Sequence, residues 1–279
     1  MKPPYWQDDY SAVWYGDAIE VMASLPDRPD LIVTSPPYNL GIGSGGGMAH
    51  HDNPKDLTTS RMRHLSTPNY YGDHDDAMPM ADYIHWQHDF TKLAWQMLSD
   101  VGALAYNHKP RIFDGHEIWP TTYVHPDLEP FLRQTIILDR RGGLNFTATF
   151  FVPSYEVLLI YARPAWRLQD GAWGATSVWP MPRPQRARWH PAPFDKSIPK
   201  RLITATNPGL VLDPFMGSGS TLIAARELGV ASYGIDAHLP FVNQAIIDIA
   251  QAEPGMMVLQ ASARTRQRAA ALLQPGLDL

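Results

Sequence analysis

The fold is decided by residues 210–221, which read Leu-Val-Leu-Asp-Pro-Phe-Met-Gly-Ser-Gly-Ser-Thr. The first four residues form a short apolar run that predicts a buried strand, and the apolar pattern from about 220 to 228 predicts a helix that Gly229 ends. Another strand is expected at residues 233–235, and a second helix is expected after Pro240. This β-α-β-α alternation predicts a mostly parallel sheet.

Residues 214–219, the glycine loop, form a candidate ligand site between the first strand and its helix. Ligands of parallel sheets bind at the carboxyl ends of strands, where Gly217 and Gly219 allow close approach of the backbone and the helix start offers free N–H groups. A P-loop needs a lysine after its last glycine, and the dinucleotide fingerprint needs a third glycine where Leu222 stands. The sequence therefore predicts a cofactor loop and disfavours ATP and NAD.

Asp236 is expected at the end of the next strand, about twenty residues beyond the glycine loop. A carboxylate in that position can accept hydrogen bonds from two ribose hydroxyl groups. The alternative is an ordinary strand-to-helix turn in which Asp236 caps the following helix. Both interpretations agree with the sequence.

The second informative segment is residues 34–39, Thr-Ser-Pro-Pro-Tyr-Asn, of which residues 35–39 are called the proline segment. It follows the apolar run 31–34, and because neither proline can donate to a strand ladder, the strand must end there. The prolines fix the backbone so that the Ser35 hydroxyl, the Pro36 carbonyl and the Tyr38 ring can face one cleft. An amine flanked by acceptors and stacked on a ring fits such a cleft, and a strand end closed by a proline turn is the alternative.

The rest of the chain predicts further elements and two irregular segments. Strands are expected at residues 12–15, 103–106, 135–138 and 156–161, and a short helix at 17–25. A longer helix capped by Asp82 is expected to present one apolar face: Trp86, Phe90, Leu93 and Met97. Residues 41–80 are expected to form a long loop or insertion, and residues 163–193 a small irregular satellite outside the sheet.

The composition excludes several mechanisms. The chain has 279 residues, of which 44% are hydrophobic and 18% charged, as is typical of a globular protein. It contains no cysteine, which excludes disulfides, thiolate metal sites and thiolate nucleophiles. No apolar run approaches the roughly 18 residues of a membrane span and the first residues lack a signal peptide, so the expected compartment is the cytoplasm. The net charge of −5 disfavours nucleic-acid binding through overall charge but allows a local basic surface.

Together, the proline segment and the glycine loop resemble the amino-methyltransferases of DNA that use S-adenosylmethionine. The Ser-Pro-Pro-Tyr motif precedes the glycine loop, and this order is similar to that of the β group of the family. The resemblance implies one catalytic domain over residues 1–279 with a circularly permuted motif order. It implies an α/β fold with a doubly wound, mostly parallel Rossmann-like sheet and helices on both faces. It also implies S-adenosyl-L-methionine as cofactor and double-stranded DNA as partner, and it leaves open a homodimer and a cognate restriction endonuclease.

Three weaker elements extend the resemblance. Residues 15–18 resemble the family's acidic element near the cofactor adenine, residues 189–194 with 198–202 resemble the motif at the methionine end of the cofactor, and residues 155–159 resemble an element near the flipped base. The implied catalytic residues are Ser35, Pro36, Pro37 and Tyr38. The implied cofactor-binding residues are Asp17, Ala18, Phe194, Asp213, Phe215, Gly217, Gly219 and Asp236.

Methylation of a base within a duplex requires that the base be flipped out, held by stacking and recognised by hydrogen bonds. Tyr38 is expected to stack on the base, while the Ser35 hydroxyl and the Pro36 carbonyl accept from its exocyclic amine. Methylation of cytosine C5 in the usual way needs a cysteine nucleophile, so the chain's composition excludes it. Within the family, Ser-Pro-Pro-Tyr favours cytosine N4. Adenine N6, methylation of RNA or of a protein amide, and a non-catalytic DNA-binding relative stay open as alternatives.

A basic run is the candidate DNA-contact surface. The residues assigned to it are Arg183, Arg186, Arg188 and Lys196, and Lys200 and Arg201 extend the run. A phosphate-contacting surface explains it in a base-modifying enzyme, and a solvated face is the alternative. Residues 164–193 are the candidate target-recognition segment, and the insertion at 41–80 is expected to share that task.

Two other patterns carry less information. Residues 41–46 match Gly-x-Gly-x-x-Gly, but no amphipathic helix follows, so a hinge for a mobile loop and an inert loop are both open. The histidines and acids at 50–52 and 73–76 have no known metal-ligand spacing, so no metal site is predicted.

Overall fold

The computed structural model describes residues 2–39, 77–113, 115–142, 149–182 and 194–255. In these ranges the helices are α1 Ala18–Met22, α2 Met80–Met97, α3 Ser197–Thr206, α4 Ser220–Glu227 and α5 Leu239–Gln251. The strands are β1 Trp6–Gln7, β2 Ser11–Tyr15, β3 Leu31–Thr34, β4 Ala103–His108, β5 Arg111–Phe113, β6 His116–Ile118, β7 Leu132–Asp139, β8 Tyr155–Ala162, β9 Val178–Pro180, β10 Leu210–Asp213 and β11 Ala231–Asp236. Short 3₁₀ turns cover Pro120–Tyr123, Pro126–Phe131 and Ala172–Gly174. None of the helices just given is long and apolar enough to cross a membrane.

Nine strands form one sheet in the order β1-β2-β11-β10-β3-β4-β8-β7-β9. The five consecutive strands β2, β11, β10, β3 and β4 are parallel to one another. Strand β8 runs antiparallel to both β4 and β7, and β1 runs antiparallel to β2 at the edge. The prediction of a mostly parallel sheet is therefore confirmed, and β5 and β6 form a separate hairpin.

Both faces of the central sheet are apolar, because alternate residues of its strands enter different layers of core side chains. Ile32 and Leu212 pack with side chains of α1 and α2 on one face. Val33 and Val211 pack with side chains of α3 and α4 on the other face. A third cluster joins α5 to β2 and the glycine loop. Burial on both faces is typical of a doubly wound sheet, as predicted.

The predicted elements are confirmed, with different precision at their ends. Strands β3 and β10 have the expected bounds, 31–34 and 210–213. Strands β2, β4, β7, β8 and β11 extend further than their apolar runs, because polar residues at strand ends also pair with neighbouring strands. The short strands β1, β5, β6 and β9 were not predicted, since two or three residues are too few to show a period.

Helix α2 exists as predicted, but its buried stripe differs from the apolar face expected from the sequence. The stripe contains Tyr83, Gln87, Phe90 and Ala94, whereas Trp86, Leu93 and Met97 are only partly buried at its margin. Gln87 is tolerated in the core because its amide nitrogen donates to Tyr83 Oη and its amide oxygen accepts from Tyr106 Oη. Asp82 is not the cap, since the helix begins at Met80.

The described part of segment 163–193 differs from the prediction. Val178–Pro180 pairs in parallel with β7 and extends the sheet, so the expectation of a satellite outside the sheet is wrong for these residues. A proline is compatible with β9 because this strand lies at the sheet edge. The Gln169 N–H donates to the Ala205 carbonyl at 2.7 Å, which ties the irregular residues to the end of α3. Residues 183–193 and 41–76 lie outside the described ranges.

Gly219 occupies the turn between the glycine loop and α4. Its φ is 74°, in the left-handed region, and it is the N-cap of α4. A Cβ atom at this position would lie 3.1 Å from Ile249 Cδ1 and 3.2 Å from Ala245 Cβ on α5. The turn therefore requires glycine both for its backbone conformation and for the close packing of α5.

We expect Gly219→Ala to lower the free energy of unfolding by about 1–2 kcal/mol, because the left-handed backbone conformation is unfavourable for a residue with a Cβ atom. Urea unfolding followed by circular dichroism measures the change. Gly174→Ala is the matched control, because no atom lies within 4 Å of a Cβ added there. Equal stabilities of the two variants would contradict the assignment of strain to Gly219.

Candidate active site

The carboxyl ends of the parallel strands β2, β11, β10, β3 and β4 meet at one edge of the sheet, called here the carboxyl edge. Strands β10 and β3 are neighbours, with Leu212 opposite Ile32, so the glycine loop and the proline segment leave the sheet side by side. Strands β2 and β11 are also neighbours, which places Asp17 close to the end of β11 at Asp236. The structure thus brings the main sequence-predicted elements together.

Asp213 fixes the shape of the glycine loop from inside the protein. The Phe215 N–H donates to Asp213 Oδ1 at 3.1 Å, and Thr221 Oγ1 of α4 donates to Oδ2 at 2.6 Å. Burial raises the pKa of Asp213 to about 7, although these two donors favour the ionised form. Through these two contacts, Asp213 holds the glycine loop against the start of α4.

Asp236 links the end of β11 to the glycine loop. The Gly217 N–H donates to Asp236 Oδ2 at 2.9 Å, and the His238 N–H donates to Oδ1 at 2.8 Å. Burial raises the pKa of this carboxyl group to about 6. The contact with His238 forms a turn at the end of β11, but Asp236 does not cap the helix that follows, because the N-cap of α5 is His238. Each carboxylate oxygen has a second lone pair, so ligand hydroxyl groups remain compatible with these contacts.

Asp17 and Ala18 lie at the start of α1, beyond the end of β2. Asp17 Oδ1 accepts from the Glu20 N–H at 3.0 Å and caps the helix. Ala18 is buried, and the Gly16 N–H donates to the Asp236 carbonyl at 3.0 Å. The acidic element is therefore attached directly to the Asp236 strand end.

The two phenylalanines predicted to bind the cofactor, Phe215 and Phe194, have different surroundings. The Phe215 ring packs against Trp86 and Phe90 of α2, with centroid distances of 5.6 and 4.9 Å. Phe194 precedes α3 and is partly buried against the core layer that α3 and α4 share. Phe215 thus holds the glycine loop against α2, while Phe194 packs on the opposite face of the sheet.

The proline segment is held in place by hydrogen bonds from behind. Tyr83 Oη donates to the Pro37 carbonyl at 2.8 Å. Arg111 Nη1 donates to the carbonyls of Tyr38 and Asn39 at 3.0 and 3.2 Å, and Asn39 has a left-handed φ of 54°. Tyr38 Oη lies 2.9 Å from Ser35 Oγ. The segment is therefore a rigid turn whose serine and tyrosine side chains are already in contact.

The Tyr38 ring forms one wall of this site. It packs against the His108 ring at a centroid distance of 4.4 Å, and Lys109 Nζ lies 5.7 Å from its centroid. Burial lowers the pKa of His108 to about 3, so the imidazole is neutral, and burial raises the pKa of Tyr38 well above its usual value of 10. Tyr38 is partly exposed, which is compatible with stacking of a base on its free surface.

The sequence-based prediction missed several residues around the proline segment. These are Tyr83, Asn107, His108, Arg111 and Arg140, and the last forms an ion pair of 2.6 Å with Glu156 of the predicted element 155–159. Asn107 and His108 follow directly after the predicted strand 103–106. Polar residues at the carboxyl end of a predicted strand were the signal that could have identified these two.

The predicted DNA-contact residues are only partly within the described ranges. Arg183, Arg186 and Arg188 lie outside them. Lys196 Nζ lies 2.6 Å from Glu227 Oε1, and Lys200 Nζ lies 3.3 Å from the other oxygen of Glu227, at the end of α4 remote from the glycine loop. Ion pairs that are this exposed contribute little to stability. Contact of Lys196 with DNA stays a prediction.

Metal binding finds no support among the described residues. No group of three or more His, Cys, Asp or Glu side chains in these ranges is arranged to hold a metal ion. The histidines and acids at 50–52 and 73–76 lie outside the described ranges.

The raised pKa of Asp213 predicts how stability depends on pH. The folded protein binds a proton that the unfolded chain has lost between the ordinary pKa of 3.8 and about 7, so the free energy of unfolding falls as pH rises through this window. We expect a shallower fall in Asp213→Asn, measured by urea unfolding at several pH values. Asp100→Asn is the control, because Asp100 is an exposed carboxylate far from the glycine loop. Identical slopes in all three proteins would contradict the buried-carboxyl assignment.

Comparison with known proteins identifies the family. The model of the DNA methylase family, N6_N4_Mtase, matches residues 29–247, a range that contains the proline segment, the glycine loop and Asp236. Among individual proteins, the chain is similar to the type II methyltransferase M.ScaI of Streptomyces caespitosus. The two are 24% identical over 284 aligned positions, which cover 88% of this chain and 83% of that protein.

Solved structures with similar folds agree with the family match. The PvuII DNA methyltransferase (cytosine-N4-specific) has a TM-score of 0.64 and 15% identity, with 97% of this chain and 94% of that chain covered. TTHA0409 of Thermus thermophilus, in complex with S-adenosyl-L-methionine, has a TM-score of 0.56 and 20% identity, with 88% and 97% covered. These similarities confirm the Rossmann-like methyltransferase fold. Because the family match spans well over half of its residues, the chain belongs to the DNA methylase family.

Proposed function

We propose that this DNA methylase transfers a methyl group from S-adenosyl-L-methionine to the exocyclic N4 atom of a cytosine flipped out of double-stranded DNA. The observation that carries the proposal is the position of the proline segment beside the glycine loop at the carboxyl edge. This arrangement puts acceptors for an amine next to a loop with backbone N–H groups and carboxylates. Membership of the DNA methylase family supports DNA as the substrate.

S-adenosyl-L-methionine is the methyl donor, and it supplies an electrophilic methyl group on a positively charged sulfur. The residues proposed to hold it are Asp17, Ala18, Phe194, Phe215, Gly217, Gly219 and Asp236. Asp236 fits a ribose because both of its oxygens keep a lone pair beside their backbone contacts. The proposed part of Asp213 is indirect, because its oxygens hold Phe215 and Thr221 in place.

The proline segment is proposed to orient the amine. Ser35 Oγ and the Pro36 carbonyl accept its two N–H groups, so that its lone pair points toward the methyl group, and Pro37 keeps the backbone rigid. In the described part of the chain, the Pro36 carbonyl has no other hydrogen-bond donor. Catalysis then consists chiefly of positioning, and no covalent enzyme intermediate is needed.

The choice of cytosine N4 over adenine N6 rests on two supports. Serine stands at the first position of the motif, where the resembling family uses aspartate more often for adenine. The PvuII enzyme with a similar fold is described as cytosine-N4-specific. Adenine N6 is the second candidate, because the same acceptors suit either exocyclic amine, and a non-catalytic relative is the third.

DNA contact is proposed for Arg183, Arg186, Arg188 and Lys196, with residues 164–193 as the target-recognition segment and residues 41–80 as a second contributor. The basic run carries this proposal, since phosphate contacts need positive charge on a protein whose net charge is −5. We propose residues 1–279 as a single catalytic domain within a restriction-modification system. A homodimer and a cognate endonuclease are open extensions of this proposal.

Replacement of Asp236 tests the cofactor assignment. We expect Asp236→Ala to weaken binding of S-adenosyl-L-methionine by about 1–3 kcal/mol, because two ribose hydroxyl groups lose a charged acceptor. Isothermal titration measures this change. DNA affinity should stay the same.

Two controls accompany that titration. Asp100→Ala removes an exposed carboxylate at the opposite edge of the sheet and should bind the cofactor normally. Urea unfolding of Asp236→Ala separates a loss of fold from a loss of the ligand contact. A folded Asp236→Ala protein with unchanged cofactor affinity would refute the assignment.

Replacement of Ser35 and Tyr38 tests the catalytic assignment. We expect Tyr38→Ala to weaken binding of the flipped base by about 1–3 kcal/mol through loss of stacking. Ser35→Ala should mainly lower kcat, because its hydrogen bond aligns the amine as transfer begins. Transfer of labelled methyl to duplex DNA measures both effects, and both variants should bind S-adenosyl-L-methionine normally.

The product of the wild-type reaction decides between the candidates. Mass spectrometry of nucleosides from the methylated DNA should show N4-methylcytosine. N6-methyladenine would establish the second candidate, and the absence of both would favour the non-catalytic relative. Full activity of Ser35→Ala and Tyr38→Ala would remove the proline segment from the active site.

A further inference from the structure

Asn107 lies directly behind the proline segment. It is the second-last residue of β4, and it is buried, with 1% of its surface exposed. Its Oδ1 atom lies 2.8 Å from Tyr38 Oη, and its Nδ2 atom lies 3.0 Å from the carbonyl oxygen of Val157 on β8. The amide is therefore held between the neighbouring strand and the tyrosine of the motif.

The available donors and acceptors fix the direction of three successive hydrogen bonds. The Val157 carbonyl only accepts, so the Asn107 NH₂ group must face it and the amide oxygen must face Tyr38. The amide oxygen also only accepts, so Tyr38 gives its single proton to Asn107. The contact of 2.9 Å between Ser35 Oγ and Tyr38 Oη must then be donated by Ser35.

The direction of these bonds matters for the chemistry of Ser35. Because its own proton is donated to Tyr38, Ser35 Oγ presents only lone pairs to the cleft. A serine with a free proton can instead donate to the lone pair of an amine, which is the pair that must attack the methyl group. The hydrogen-bond chain prevents that unproductive contact.

We propose that Asn107 is a positioning residue for methyl transfer, because through Tyr38 it fixes Ser35 as an acceptor for the exocyclic amine. This inference rests on the proposed function, since it takes an amine to be the group that Ser35 meets. Asn107 itself touches Tyr38 and Val157, not the reacting atoms. A neutral amide is a very weak base, so the chain orients Ser35 and does not carry away a proton.

The state of the Tyr38 phenol supports the same conclusion. Burial raises its pKa well above the usual 10, and the nearby Glu156 carboxylate adds to the effect. The phenol therefore keeps its proton at neutral pH, and the direction of the chain does not reverse.

The experiment places Asn107→Leu and Tyr38→Phe in two backgrounds, the wild-type chain and Ser35→Ala. In the wild-type background we expect each change to lower kcat about tenfold, the equivalent of one lost hydrogen bond, with KM for DNA and affinity for S-adenosyl-L-methionine unchanged. In the Ser35→Ala background neither change should lower kcat further, because the effect passes through Ser35. Tyr38→Phe keeps the ring for stacking and tests the chain even where Asn107→Leu does not fold.

Ser232→Ala is the matched control. It removes a buried hydrogen bond of 3.0 Å between Ser232 and Ser11 on neighbouring strands of the same sheet, and it should leave kcat unchanged in both backgrounds. A purely structural role of Asn107 predicts equal slowing in both backgrounds, and that result would overturn the inference. Wild-type kcat in folded Asn107→Leu or in Tyr38→Phe would overturn it as well.

The product assay separates this failure from failure of the proposed function. If the wild-type chain yields a methylated amine on DNA while Asn107→Leu and Tyr38→Phe leave kcat unchanged, only the inference on Asn107 fails. If the wild-type chain yields no methylated nucleoside, the proposed function and the inference fail together.

Discussion

The parallel pairing of β10 with β3 is the interaction on which the site depends. Val211 lies opposite Leu31 and Leu212 opposite Ile32, so two strands that are far apart in the sequence end at the same edge. The glycine loop follows β10 immediately, and the proline segment follows β3 immediately. The pairing of the two strands is therefore enough to make these segments neighbours. The pairing is stable because both faces of β10 and β3 are covered by apolar side chains from helices on opposite sides of the sheet. The core thereby fixes the position of the candidate active site.

The proline segment is held in place for a second reason, which is the set of buried and half-buried polar side chains behind it. Tyr83 binds the Pro37 carbonyl, Arg111 binds the two carbonyls that follow, and Asn107 binds Tyr38. Buried polar groups are costly unless they are hydrogen-bonded, and each of these has its partners. In the described part of the chain, the Pro36 carbonyl has no hydrogen-bond donor, which agrees with the proposed contact with an amine. A site that acts by positioning needs this kind of support, because small displacements of an attacking atom lower the rate strongly.

The sequence predicted the parts of the fold that depend on local pattern. The apolar runs 31–34 and 210–213 are strands with these bounds. It could not predict which face of α2 is buried, because Gln87 and Thr91 enter the core through hydrogen bonds that an apolar period does not register. Nor could it predict β9 or the contact between Asn107 and Tyr38. Both depend on pairing between elements that are distant in the sequence, which periodicity does not encode.

The two carboxyl groups beside the glycine loop differ in what they offer to a ligand with hydroxyl groups. Asp213 and Asp236 end neighbouring strands, and burial raises their pKa values to about 7 and about 6. Their backbone and Thr221 donors offset only part of the desolvation. The oxygens of buried Asp213 already accept from Phe215 and Thr221, whereas Asp236 is partly exposed, so a ligand that brings hydroxyl donors would stabilise the ionised form of Asp236 in particular. The ribose of S-adenosyl-L-methionine, which we propose binds Asp236, brings such donors. Desolvation that disfavours the ionised form of Asp236 in the free protein would thus increase the gain from the proposed contact.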